Sequence, residues 1–163
     1  MMRTLDDNAM RLVLQILARG QEMSLATLRP DGYPQATTLN YASRGLTLYA
    51  AIGLGSQKAH NIQEHKQVSL TISPPAQPGS EIQALSIGGL ASFVKGEEHT
   101  VDVSARLLQR YPQFRHVLSG TQGHPWGGIV FLRIDPQVVS LLDYTKGFGH
   151  TELFKVQDIA VPA

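Results

Sequence analysis

Leu46-Thr47-Leu48-Tyr49-Ala50-Ala51-Ile52, followed by Gly53-Leu54-Gly55 and then Ser56-Gln57-Lys58-Ala59-His60-Asn61-Ile62, orders the rest of the chain around itself. The first seven residues form an apolar strand-like run, the glycines turn the chain, and Ser56 opens a helix as a favoured N-cap. Ala59, Ile62 and the stem of Lys66 share a helical face. Lys58 then falls in the first turn, where the positive end of the helix dipole disfavours a cation. A bound anion removes that conflict, because backbone N–H groups, the dipole, the Ser56 hydroxyl and the Lys58 ammonium would converge on it. The plain alternative is an exposed lysine behind an N-cap, and these residues alone do not choose between the two.

Upstream, Asp6 or Asp7 can cap a helix whose Leu12, Val13, Ile16 and Leu17 fall on one face and which stops at Gly20. The period changes at Met23. Met23 to Leu28 is predicted as a strand, Arg29-Pro30-Asp31-Gly32 as a turn, and Pro34 to Ala42 as the returning strand. Ser43-Arg44-Gly45 turns into the Leu46 strand, and Gln67 to Ile72 follows the Ser56 helix with Val68, Leu70 and Ile72 on one face. Pro74 to Ser80 is a loop. A long strand from Ile82 to Val94 contains Gly88-Gly89, which signals a bulge or a close backbone approach. Glu97 to Arg110 is predicted helical, with Val101, Ala105 and Leu108 as its apolar face, and a short helical piece is expected around Gln113 to Leu118. Gly127 to Leu142 is strand-like with a break or bulge at Asp135-Pro136, and Leu153 to Ile159 could add an edge strand. Antiparallel strands in succession with inserted helices predict a mainly β, α+β fold built as a closed or partly closed barrel.

The 163 residues suffice for one domain with a real core, and 42% hydrophobic against 17% charged content fits a globular chain. A net charge of +1 with no dense Lys/Arg stripe predicts no nucleic-acid partner and no attraction to an acidic membrane. With no cysteine, disulfides, thiolate metal sites and Cys nucleophiles are excluded. The N-terminus lacks a basic start leading into an apolar run, and no apolar stretch reaches spanning length, so a cytoplasmic protein is the expectation.

Several pieces carry a family resemblance. Gly55 to Leu70 is similar to a Ser-x-Lys-Ala helix followed by an apolar strand, and the Leu25 to Leu39 hairpin, with Asp31-Gly32 and Pro34, is similar to a first pair of barrel strands. Leu85 to Val94, and Arg133-Ile134-Asp135-Pro136 followed by Val138 to Leu142, supply the later strands. In this order they resemble the pyridoxamine 5'-phosphate oxidase-like superfamily of FMN-binding split barrels, over most of the chain. The resemblance implies a six-stranded antiparallel split β-barrel with Greek-key connections and flanking helices. It also implies a homodimer holding two FMN molecules between its subunits. Ser56 and Lys58 would hold the phosphate; Thr37, Thr38, Leu39 and Asn40 would lie beside the isoalloxazine ring and offer mostly backbone hydrogen bonds, with Ile52 contributing. The oxidase reaction itself is not implied. Thr37 and Ala42 stand where the family's oxidases carry Arg and Lys, and the tail has no Arg-x-His motif, which leaves Arg44 as the expected further cation. An FMN-dependent oxidoreductase acting on a small-molecule redox substrate is the expected function.

Two further segments are candidates for the cofactor site. In Tyr144-Thr145-Lys146-Gly147-Phe148-Gly149-His150, two glycines allow a sharp excursion that could bring Phe148 or His150 to a ligand, or could simply make a turn. A similar Gly-Phe-Gly segment in the haem-utilisation branch makes haem an alternative cofactor, with His150 as axial ligand; a deazaflavin is a further one. Trp126, in a glycine-rich approach to the last long strand, could stack on a flavin edge or fill an interface. His60, Glu64 and His65 lack the spacing of a helical zinc site and are expected to be solvated. No nucleophile elbow, paired carboxylates or dinucleotide fingerprint is present. A flavin would itself carry the redox chemistry, so the lack of catalytic side chains is consistent with a flavoprotein.

Overall fold

The computed structural model describes residues 2–118 and 127–157. The first helix, α1 (Asp7–Arg19), begins as expected: the Asp6 carboxylate accepts from Ala9 N–H at 2.9 Å, and Val13, Ile16 and Leu17 are buried. Gly20 ends it for reasons of space. Its φ of −68° suits any residue, but a Cβ there would lie 2.5 Å from Ile72 Cγ2 and 2.6 Å from the Tyr41 hydroxyl.

Among the described residues nine strands follow the chain: β1 (Arg3–Thr4), β2 (Glu22–Leu28), β3 (Pro34–Asn40), β4 (Ala42–Arg44), β5 (Thr47–Gly53), β6 (Gln67–Ile72), β7 (Gln83–Phe93), β8 (Ile129–Asp143) and β9 (Thr151–Lys155). Between them lie α2 (Gln57–Glu64), α3 (Glu97–Arg110) and α4 (Arg115–Leu118), the last preceded by a 3-10 turn at Pro112–Phe114. The main path through the sheet runs β1-β9-β8-β7-β6-β2-β3, with β4 and β5 off it. All pairs are antiparallel except β1 with β9.

The fifteen residues of β8 organise this sheet. One edge pairs with β7 over Leu132–Asp143; the other pairs with β5 over Ile129–Ile134 and with β9 over Val138–Leu142. The changeover coincides with a bulge. Gly89 faces Pro136 while Gly88 faces Val138, which leaves Gln137 as the extra residue. Both expectations for the Gly-Gly pair hold, since a Cβ on Gly89 would also sit 2.9 Å from the Asp135 carbonyl oxygen.

The six-stranded barrel requires correction. A continuous ladder leads from β3 through β2, β6, β7 and β8 to β5, but β3 and β5 do not pair, so the sheet is not closed, and three short strands are added. The returning strand expected over Pro34 to Ala42 is broken at Tyr41, a fully buried side chain whose hydroxyl donates to Leu17 O at 2.7 Å. Beyond this inward plug the chain pairs with β5 instead of β2.

The main core joins α1 to the inner faces of β2 and β5 to β8. A second cluster, Ala42, Tyr49, Val103, Leu107 and Tyr111, lies beneath α3 on the outer face. The expected α3 face is therefore wrong: Val103 and Leu107 are buried, whereas Val101 is 63% exposed. Both sets satisfy helical spacing, and tertiary contact with Ala42 and Tyr49 selects one. Among the described residues no helix is long and apolar enough to cross a membrane.

Candidate functional site

The glycine turn after β5 feeds directly into α2, with Ser56 as N-cap (φ −74°, ψ 154°). The Ser56 oxygen accepts from Ala59 N–H at a long 3.4 Å, and Ser56 N–H donates to Gly53 O at 3.1 Å. Ser56 is buried, and its hydroxyl proton has no acceptor among the described residues. Helix geometry leaves the Gln57 and Lys58 N–H groups without intrahelical acceptors. No acidic residue lies in the first turn to complement the dipole. Lys58 is half-buried and makes no hydrogen bond or ion pair with any described residue. Among the described residues these groups form a corner with no acidic complement.

A buried amide fixes this corner. Asn61, fully buried one turn into α2, donates to Thr27 Oγ1 at 3.0 Å and to Gln35 Oε1 at 3.2 Å, and accepts from Gln57 Nε2 at 2.9 Å. Thr27 and Gln35 face each other across the β2–β3 pair. An asparagine where the helical face calls for an apolar residue is the one sequence signal for this network.

Among the described residues strand β3 pairs only with β2, so every second residue along its other edge has a backbone N–H and C=O outside any described ladder. Thr37 points to the inner side, where its buried Oγ1 has no hydrogen-bond partner among the described residues, while Thr38 is exposed and Leu39 packs against the core. Asn40 is partly committed, its Nδ2 donating to Gln21 O at 3.3 Å. Ile52 is buried near the end of β5, just before the turn into α2. The open edge and the orphaned hydroxyl offer hydrogen-bonding groups to a flat ring, and the helix start offers them to an anion.

Arg44 does not belong to this corner. It ends β4 opposite Thr47, at the far end of β5 from Ser56, roughly 20 Å along the strand. There it lines a cleft of about 620 Å³ beneath α3 with Lys95, His99, Asp102 and Arg133.

Phe148 and His150 are also apart from Ser56 within one chain. Leu54 N–H donates to Gly128 O at 2.9 Å, which places the α2 corner at the start of β8, whereas the 144–150 loop follows its last residue, Asp143. Gly147 and Gly149 have φ of 126° and 73°, values open to glycine, and between them Phe148 is 94% exposed with its ring 5.2 Å from Tyr144. The loop has a firm base. Burial opposes the charge on Asp143, but hydrogen bonds from Thr145 and Gln83 outweigh it and hold its carboxyl below the usual range. Glu152 gathers Arg3, Lys146 (2.8 Å) and His150, and the Lys146 ammonium is the main cause of its lowered carboxyl pKa. His150 Nε2 lies 3.3 Å from Glu152 Oε2, near enough to interact as an ion pair but out of line for a hydrogen bond. Trp126 lies outside the described residues. His60, Glu64 and His65 are exposed, as expected of a solvated face.

The order of elements and this corner agree with a family match. Residues 11–143 fit the pyridoxamine 5'-phosphate oxidase family model. The chain belongs to that family. No curated protein matches it significantly. Among solved structures, a candidate pyridoxamine 5'-phosphate oxidase from Listeria innocua is 24% identical over 82% of this chain and 97% of that one, with a TM-score of 0.63. A heme binding protein from Mycobacterium smegmatis is 17% identical and superposes with a TM-score of 0.75, covering 93% of this chain but 60% of that one. An F420 reductase is 26% identical over 77% of this chain and 94% of that one, with a TM-score of 0.57. The first two likenesses speak for the fold alone.

Proposed function

We propose that this protein is an FMN-binding flavoprotein and an oxidoreductase acting on a small-molecule redox partner, working as a homodimer with two flavins between its subunits. The observation that carries the reading is Lys58, which is half-buried and unpartnered among the described residues in a helix turn that has no acidic complement. Ser56, Lys58 and the first-turn N–H groups would hold the phosphate, which carries roughly −1.5 to −2 charges near neutral pH. Thr37 Oγ1 and the open edge of β3 would meet the ring, with Ile52 closing its inner side. The flavin, when bound, supplies the electron transfer; the protein binds it, orients it and excludes water. Because Phe148 and His150 lie at the other end of β8, they reach a flavin only from the second subunit. Thr37 and Ala42, in place of Arg and Lys, argue against recognition of pyridoxamine phosphate.

A haem reading has one observation in its favour. His150 Nε2 is buried with no hydrogen bond to any described residue. Glu152 competes for the same nitrogen at 3.3 Å. A deazaflavin would use the same phosphate corner, and the likeness to an F420 reductase supports it as a further alternative. The visible spectrum of the purified protein separates these readings. Two broad near-ultraviolet and blue bands are expected. A sharp Soret band that His150→Ala abolishes, with no binding of added FMN, would overturn the flavin assignment.

A further inference from the structure

A polar side chain inside a helix–sheet contact is costly unless every hydrogen-bonding group is met, and a leucine, of the same branched shape though larger, would carry no such demand. Asn61 is such a side chain. It is fully buried, and its amide meets Thr27, Gln35 and Gln57 at once. The three partners lie on three elements. Thr27 is on β2, Gln35 is on β3 two residues before Thr37 and on the same face, and Gln57 is the first residue of α2. Asn61 therefore joins the helix turn carrying Ser56 and Lys58 to the strand carrying Thr37. It also draws the Gln57 side chain back along the helix, so Lys58 remains the first-turn side chain free to face an anion.

We propose that Asn61 is a positioning residue that fixes the phosphate corner of α2 against the ring strand β3, and thereby sets the preference of the site for a phosphorylated flavin over an unphosphorylated one. This rests on the flavin reading above. Without the amide, α2 still docks through Ala59 and Ile62, which are apolar and buried, but its register against the β2–β3 hairpin is no longer specified. A ligand spanning both elements then loses affinity, whereas one that needs only the strand does not.

The test compares FMN with riboflavin, which has the same ring and no phosphate. Both are titrated by flavin fluorescence into the full chain as wild type, Asn61→Leu and Gln35→Leu, with thermal melts of each. Wild type is expected to prefer FMN, and Asn61→Leu to lose that preference by on the order of tenfold, the size of one charge-assisted hydrogen bond. Its riboflavin affinity should change little. Gln35→Leu, whose side chain is remote from the phosphate corner except through Asn61, should move the ratio in the same direction by a smaller factor. It carries the test if Asn61→Leu does not fold. An unchanged FMN-to-riboflavin ratio in a folded variant, whatever its melting temperature, overturns the positioning role and leaves the flavin reading standing. A wild type that binds neither flavin overturns the flavin reading itself, and one that binds both without preference overturns the phosphate role of the α2 corner and the positioning role with it.

Discussion

Lys58 is the residue on which the functional reading turns. A lysine at the positive end of a helix contributes unfavourably unless an anion is present, and this one makes no ion pair with any described residue. Lys58→Ala should therefore weaken FMN binding by about 1.5–3 kcal/mol, on the order of tenfold or more, while leaving the apo-protein as stable as before or slightly more so. Fluorescence titration beside a urea melt checks both halves, and an unchanged dissociation constant removes Lys58 from the site. Tyr41 bears on stability alone. Burial is the main cause that pushes its hydroxyl up to about 12, against ~10 in an unfolded chain. Since the folded pKa is raised, the stability this group contributes is whole below pH ~10 and is lost as pH climbs toward about 12. Tyr41→Phe should lower stability at pH 8, by losing the bond to Leu17 O, and should flatten the decline between pH 10 and 12; unfolding free energies across that range test it. At this scale the sequence shows Ser56 and Lys58 well, because capping and dipole rules are local. It hides Asn61, Thr27 and Gln35, whose meeting depends on how a helix docks on a hairpin.

Among the elements, β8 determines where everything else lies, and its bulge opposite Gly88-Gly89 switches its outer edge from β5 to β9. The two glycines look alike in sequence and differ in their surroundings. A Cβ on Gly89 would press to 2.9 Å on the Asp135 carbonyl oxygen, which is backbone, whereas one on Gly88 meets nothing within 4 Å. Gly89→Ala is expected to destabilise by about 1–3 kcal/mol, as overpacking does, with Gly88→Ala close to neutral; paired urea melts decide it, and equal midpoints would mean that the bulge yields freely. Strand and helix positions were mostly legible, because alternation and capping are written in short windows. The failures share one cause. The break at Tyr41 and the buried face of α3 are each settled by a partner distant in sequence: Leu17 for Tyr41, and Ala42 and Tyr49 for Val103 and Leu107.

For the molecule as a whole, the main question is what covers the parts a single chain leaves open. Phe148 is 94% exposed, held out between two glycines on a loop whose base is fastened by Asp143 and Glu152. A rigid, projecting aromatic costs little further entropy to bury, and this loop lies at the opposite end of β8 from the α2 corner. A two-fold arrangement that brings the loop of one subunit to the corner of the other would cover Phe148 and complete both sites together. Light scattering at micromolar concentration should accordingly give about twice the 17.8 kDa chain mass. Phe148→Ser removes about 1.5–3 kcal/mol of apolar burial per copy, so the variant should dissociate at concentrations where wild type stays dimeric, and FMN affinity should fall with the dimer. Lys58→Ala, by contrast, should weaken FMN in a protein that remains a dimer. A wild type that is monomeric, or a Phe148→Ser variant that dimerises and binds flavin as before, would show that each chain builds its site alone.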